Sequence, residues 1–430
     1  MRGSRFVAYG SVALAMAALV ACAASGDNAQ PAPTHPEEHP TPVPDDGGAA
    51  PQADAEPDAS VEAPRCSEAG WCTTALPDVD LLMKDIWVLP SRAVAVAESP
   101  TLGVKVLEWT DAASGWSYID DGTQNESGLG RFVGKIWMPD ENEVYYAVSP
   151  GYIFHGTRTP QATWSWTADR LANSAIDAND GNPTYSKRSG SPPVPSLGVW
   201  GTGRDDVYAW FKDTIYHRES VDGAPPEWLP EYTASDSDFP GSEKLLFFGA
   251  AGASADDIWF AGARARSFAG CALLVRKHSS VYERVADGAL ASDFGACAAR
   301  PGAMLIRGAE GWLTDIQAFA PGDVVALKGA RDVVRIGAEG DAYSVNITPI
   351  PTTASTSGLN SLTTIADDLW LGGNGLVVQG SNIWDGGTFR PSTIWRDGTP
   401  ITTPIWQVRG SSNTNLWAIG VRNALHKTTP

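Results

Sequence analysis

Carboxylate pairs recur just ahead of a strand: Asp205-Asp206 before Val207, Asp256-Asp257 before Ile258 and Asp367-Asp368 before Leu369. Paired acids suit acid–base catalysis or calcium ligation. Each pair belongs to a different repeat, however, so the pairs converge only if they line a common axis. Turn chemistry, in which Asp bonds back to its own backbone, is the expected role. His155, His217 and His426 occupy matching positions one strand later. A metal needs its ligands within a few ångströms, so histidines spread over three repeats should not share one. His278 falls a few residues past its matching position, with no evident partner. Asp236 and Asp238, in Ala234-Ser235-Asp236-Ser237-Asp238, would be the acids of a glycan-cleaving enzyme, against a solvated polar loop as the plain alternative. The chain has 17 Trp, whose faces stack on sugars or on neighbouring strands. Trp109, Trp210, Trp384 and Trp395 fall off the repeat or in loops. Of these, Trp210, Trp384 and Trp395 are the candidate ligand contacts. No Gly-x-Ser-x-Gly, His-Glu-x-x-His or Gly-x-x-x-x-Gly-Lys run occurs. No residue is assigned to catalysis, a metal or a cofactor, and binding is favoured over chemistry.

The elements that position these residues repeat. A hydrophobic segment runs into a turn and a second apolar strand at Trp87/Ala95, Trp137/Tyr145, Trp200/Tyr208, Ala251/Trp259, Gln317/Val325, Leu362/Trp370 and Arg409/Trp417. A third strand follows most pairs, as in Thr214-Ile215-Tyr216-His217. A fourth begins near an aromatic, as in Gly115-Trp116-Ser117-Tyr118 and Glu227-Trp228-Leu229. A period of about 40 to 50 residues in all-β patterning predicts one four-stranded propeller blade per repeat. The expected fold is therefore an all-β, seven-bladed β-propeller over residues 66–430. The seventh repeat stops after three strands. Gly70-Trp71-Cys72-Thr73-Thr74 matches the fourth-strand pattern and precedes the first repeat, so the N-terminal strand should close the ring. Two long connections, Thr167 to Ser196 and Val285 to Gly311, join a fourth strand to the next first strand. Both should lie on one face, where binding loops gather.

The repeat resembles the Trp-Gly-Ser-x-x-Asp-[Val/Leu]-Trp-Ala-Val-Gly units of bacterial propeller lipoproteins described as BNR-repeat-like or Kelch-like. Val199-Trp200-Gly201-Thr202-Gly203-Arg204-Asp205-Asp206-Val207-Tyr208-Ala209-Trp210 is its best copy. Gln317 and Arg409 depart from the first-strand Trp, and Val325 and Ala95 from the second-strand aromatic. The resemblance implies the fold and says little of activity. The Ser-x-Asp-x-Gly-x-x-x-x-Trp box of sialidase propellers is not recognisable here.

The chain opens Met1-Arg2-Gly3-Ser4-Arg5, followed by an apolar stretch from Phe6 to Ala21 that is short for a membrane span. Its end, Leu19-Val20-Ala21-Cys22, resembles the lipobox of bacterial lipoproteins. That implies a signal peptide at 1–21, lipid on Cys22 and, with Ala23 next rather than Asp, an outer-membrane protein of the cell envelope. Residues 22–65 are rich in Pro, Ala and Asp and should form a disordered tether. His35 and His39 within it lack a fixed geometry for a metal. The tether carries nine of the acidic residues behind the net charge of −19, so the propeller itself is only moderately acidic. No basic patch points to nucleic acid. In an oxidising compartment Cys66 should pair with Cys72 and Cys271 with Cys297, since zinc would want Cys-x₂-Cys spacings that are absent. The expected function is a lipid-anchored, non-catalytic platform. It would bind an envelope protein or polysaccharide, with a lectin-like module or a glycan-cleaving propeller as the alternatives.

Overall fold

The structure, a computed structural model, describes residues 66–113, 115–126, 132–171, 184–185, 194–267, 269–290, 292, 296–340, 342–396 and 399–429. Cys22, His35, His39, the signal segment and the tether lie outside them. Seven four-stranded antiparallel sheets make the blades. Blades 1 to 6 span 82–118, 133–170, 197–233, 243–286, 313–349 and 361–393, each with its four strands in chain order. Their first strands adjoin one another around the axis, and their fourth strands are outermost. The protein is a seven-bladed β-propeller.

Burial follows from that stacking. Neighbouring blades cover both faces of the second strand, and Glu143–Val148 is buried at every position. The outer strand has only one covered face, so Ala342–Pro349 alternates between exposed and half-buried. Hydrophobic clusters consequently sit between blades. One joins Trp137, Tyr145 and Ala147 of blade 2 to Val199, Val207 and Trp228 of blade 3.

The spacing of eight residues in each repeat has a structural cause. In an antiparallel hairpin with a two-residue turn, opposed residues differ by an odd number. A separation of eight therefore needs one extra residue, a β-bulge. All seven first turns have two residues, as at Gly203↔Asp206 and Ile365↔Asp368. Blades 2, 3, 4, 5 and 7 carry a register shift beside the turn, and there Trp137↔Tyr145, Trp200↔Tyr208, Ala251↔Trp259, Gln317↔Val325 and Arg409↔Trp417 face each other as expected. Blades 1 and 6 have no bulge there. Trp87 faces Val94 instead of Ala95, and Trp370 faces Thr363 instead of Leu362.

Blade 7 takes Ile405–Ser412, Asn415–Gly420 and Asn423–Lys427 from the C-terminus and Trp71–Thr73 from the N-terminus. Trp71 faces Lys427 and Thr73 faces Leu425. The chain then crosses to blade 1: Thr74 N–H donates to Ala424 O (3.0 Å), and Trp116 Nε1 donates to Thr74 Oγ1 (3.0 Å). Trp71 is fully buried among Trp370, Val377, Ile405 and Leu425.

Both expected disulfides are present, Cys66–Cys72 and Cys271–Cys297. The second ties the third strand of blade 4 to a hairpin, Gly288–Leu290 with Cys297–Ala299, in the connection that follows the blade. Its cysteines lie 26 residues apart, so its reduction should cost about 3 kcal/mol through the unfolded chain's entropy. Urea titration of the wild type against a Cys271→Ala/Cys297→Ala variant measures this. Equal midpoints would contradict it.

Candidate functional site

The third-strand histidines belong to a motif written once per blade. The first residue of the second strand is polar, the residue two later is often aromatic, and a polar third-strand residue lies opposite that aromatic. In blade 2, His155 stacks on Tyr145 (ring centroids 4.3 Å apart) and its Nε2 meets Glu143 Oε1 at 2.9 Å. In blade 3, His217 stacks on Tyr208 (4.3 Å) and its Nε2 meets Asp206 at 3.1 Å. In blade 7, His426 stacks on Trp417 (4.1 Å) and its Nε2 meets Asn415 at 3.0 Å. Arg276 on Asp257, Arg335 on Asp323 and Gln379 on Asp368 fill the same place in blades 4, 5 and 6. Blade 1 reverses the polarity, with Arg92 on the second strand paired to Glu108 on the third. The second aspartates of the turn pairs thus tie strands together within their own blades. His278, expected to lack a partner, meets the Asp256 carbonyl through Nδ1 at 2.9 Å.

Blade 3 adds charge to this motif. His217 Nδ1 lies 2.8 Å from Glu219 Oε1 and 3.0 Å from Glu231 Oε1. The three form the one His/carboxylate cluster with metal-like spacing among the described residues. The sequence carried part of the signal, since Glu219 is two residues beyond His217 and shares its side of the strand. Burial alone would lower the His217 pKa, but the hydrogen bonds its ring N–H groups donate to Asp206 and Glu231 raise it to about 9. An imidazolium surrounded by three carboxylates is the result. His426 has no such partners, and burial lowers its pKa to about 4, against a smaller upward pull from Asp111.

These two histidines should therefore give opposite pH signatures. The His217 contribution to stability is complete below the unfolded value of about 6.5 and fades as pH rises towards 9. That of His426 is complete above about 6.5 and fades as pH falls towards 4. His217→Gln should flatten the alkaline loss of stability, and His426→Gln part of the acid loss. Histidine ring NMR titrations check both midpoints, and a shared midpoint near 6.5 would refute the assignment.

A cavity of about 470 Å³ lies on the axis, lined by the first strands of all seven blades. At one level the bulge-corrected register contributes Trp87, Trp137, Trp200, Ala251, Gln317, Thr363 and Arg409. The degenerate repeats thus make the cavity two-sided. Indoles fill the arc of blades 1 to 3: Trp87 meets Trp137 edge-on (6.4 Å), Trp137 lies over Gly201 and Trp200 over Gly252. The other arc is small or polar. The cavity's charges are paired on both arcs: Arg409 forks onto Asp315 (2.9 and 3.0 Å), whose Oδ2 also accepts Leu362 N–H. Lys135 sits 3.6 Å from Asp85, whose Oδ2 accepts Ile136 N–H at 3.0 Å. These bonds fasten blade 5 to blades 6 and 7, and blade 1 to blade 2.

The sugar-contact candidates separate. Trp210, one of the candidate ligand contacts, is 1% exposed and is among the residues lining the axial cavity. It stands opposite Gly198, and a Cβ there would overlap its ring, so glycine opens the space that lets the indole fold inward. Trp109 is edge-on to Trp417 and to His426 where blades 1 and 7 meet. Trp384 packs against the core between blades 5 and 6. Trp395, 46% exposed on a short hairpin, remains open to a ligand.

Asp236 and Asp238 are not a free acid pair. Asp236 Oδ2 meets Arg284 Nη1 (2.5 Å), Arg300 Nη2 (3.0 Å) and Arg264 Nη2 (3.4 Å), and Asp238 pairs with Arg300. Burial pushes the Asp236 pKa up, but the bond and charge of Arg284, with Arg264, hold it below the usual range. Beneath lies Arg264, wholly buried, donating to Glu243 (2.7 Å) and to both oxygens of Asp287 (2.9 and 2.8 Å). The sequence placed Asp236 and Asp238 in a loop but did not reveal arginines arriving from positions 264, 284 and 300.

No family model and no curated protein matches this sequence. Solved structures do. YCF48 bound to D1 peptide has a TM-score of 0.52 and 12% identity, over 84% of this chain and 97% of that one. YCF48 from Cyanidioschyzon merolae has a TM-score of 0.52 and 12% identity, over 84% and 99%. The WD40 β-propeller domain of Doa1 has a TM-score of 0.50 and 12% identity, over 83% and 95%. At such identities the likeness is one of fold, and it is to propellers that this chain is similar.

Proposed function

We propose that this chain is a lipid-anchored propeller of the bacterial envelope that holds a protein partner without catalysis, at the mouth of its axial cavity. The carrying observation is the two-sided wall at that level, indoles on blades 1 to 3 and Ala251, Gln317, Thr363 and Arg409 opposite. An extended segment with one apolar and one polar edge fits such a wall, and large indoles supply contact area at little cost in side-chain entropy. Support also comes from the similar structure of YCF48, which is bound to D1 peptide. A catalytic reading loses ground because Asp236 and Asp238 are neutralised by arginines. The lectin-like reading rests on Trp395 alone.

A photoreactive residue at Ala253, exposed at the cavity rim, should cross-link one envelope protein in living cells. The same probe at Leu102, exposed on a turn of the opposite face, should not. Trp200→Ala should reduce the yield about tenfold, the typical loss on truncating an interface anchor. Polysaccharide binding on a glycan array, abolished by Trp395→Ala and indifferent to Trp200→Ala, would favour the lectin reading instead. Cys22→Ser should release the protein from membranes, and a variant that still sediments after a high-salt wash would refute the anchor.

A further inference from the structure

We infer that the outer edge of blade 5 is a pairing surface for a second copy of this chain, strand against strand across a two-fold axis at Val345. Its outer strand, Ala342–Pro349, reads Ala-Tyr-Ser-Val-Asn-Ile-Thr-Pro and pairs with Asp332–Glu339 without a bulge. From Ala342 to Thr348 it carries neither charge nor proline. The other outer strands have the devices that blunt a sheet edge. Blade 2 ends in Asp169 and Arg170. Blade 3 has Pro230, two glutamates and a bulge. Blade 4 has Glu283, Arg284 and a bulge. Blade 6 has Arg390 and Pro391. The outer strands of blades 1 and 7 are two and three residues long.

The register fixes which backbone groups are open. Ile350 N–H donates inward to Arg331 O, so the even-numbered residues of this strand bond to the inner neighbour and the odd-numbered ones face out. The N–H and C=O groups of Tyr343, Val345 and Ile347 therefore point away from the blade, and none bonds to another described element. Residues 342–348 are exposed or half-buried throughout.

The occupant follows from the sequence of the edge itself. Laid antiparallel on its own copy about Val345, the strand sets Val345 against Val345, Tyr343 against Ile347 and Ser344 against Asn346. Apolar meets apolar, polar meets polar, and no like charges face each other. The three outward residues of each copy then exchange six hydrogen bonds, joining two blades into one eight-stranded sheet. Such a contact is small beside a standard interface, so the dimer should be weak and concentration-dependent.

The full lipidated chain, purified in detergent, should sediment as a monomer when dilute and approach twice the monomer mass when concentrated. Ser344→Lys/Asn346→Lys changes two exposed side chains and sets lysines opposite each other in the dimer. It should keep the wild-type melting temperature and weaken association about tenfold. Opposed Ser344 and Asn346 would form a non-hydrogen-bonded pair with Cα atoms about 4.5 Å apart, within disulfide reach. Chains with Ser344→Cys mixed with chains with Asn346→Cys should cross-link on mild oxidation, and neither should do so alone. A monomer at every concentration, association unaffected by the two lysines, or equal cross-linking of each variant with itself would overturn the inference.

Discussion

Trp71→Ala should destabilise the whole ring by about 3 to 5 kcal/mol, the usual range for emptying a buried tryptophan site. The indole is fully buried, edge-on to Trp370 (6.1 Å), and packed against residues of blades 6 and 7. Its Nε1 has no partner, so truncation strands no acceptor, and the loss is one of packing alone. Deleting residues 66–75 should cost more. It removes Trp71, exposes the Asn423–Lys427 edge and cuts the Thr74 bridge between blades 7 and 1. Trimming residues 30–60 should leave the melting temperature unchanged. Calorimetry on the three variants decides it. Equal melting temperatures for the 66–75 deletion and the wild type would mean that the ring holds closed without its N-terminal strand.

Arg264→Met should be as damaging for a different reason. The guanidinium is wholly enclosed, and its partners Glu243 and Asp287 have fully buried carboxylates. Removing the cation leaves two carboxylates in the core of blade 4, with only the outer arginines near Asp287 to offset them. Breaking a buried ion pair from one side costs about 3 to 5 kcal/mol. The triple variant Arg264→Met/Glu243→Gln/Asp287→Asn should regain much of that, because it removes the stranded charges along with the cation. Urea unfolding at neutral pH measures both. If the single and triple variants lose the same amount, the cost lies in lost packing rather than in unpaired charge.

Several features were legible in the sequence because they depend on neighbours along the chain. A blade is four strands joined by short turns, so its pattern of Trp, turn and aromatic is written within one repeat, and seven repeats give seven blades. Ring closure was legible from a missing fourth strand at one end and a matching Gly-Trp run at the other. The disulfides followed from the oxidising compartment expected of the sequence and from cysteines that stood near one another.

Other features depend on strands that meet only in the folded chain, within a blade or between blades, which no local pattern records. Trp87 and Trp370 changed partners because blades 1 and 6 omit a bulge, and a one-residue shift turns a side chain to the other face. Trp210, a candidate ligand contact in sequence, is buried, because Gly198 leaves room for its ring. The aspartates at 236 and 238 looked solvated and are held by arginines from up to 64 residues away. The sequence by itself determined the strands, their order and the closed ring, since local turn chemistry and hydrophobic spacing suffice for those. Only the tertiary structure decided which charges meet and which indoles line the axis, because burial and charge pairing depend on distances between strands that pair or pack only once the chain is folded.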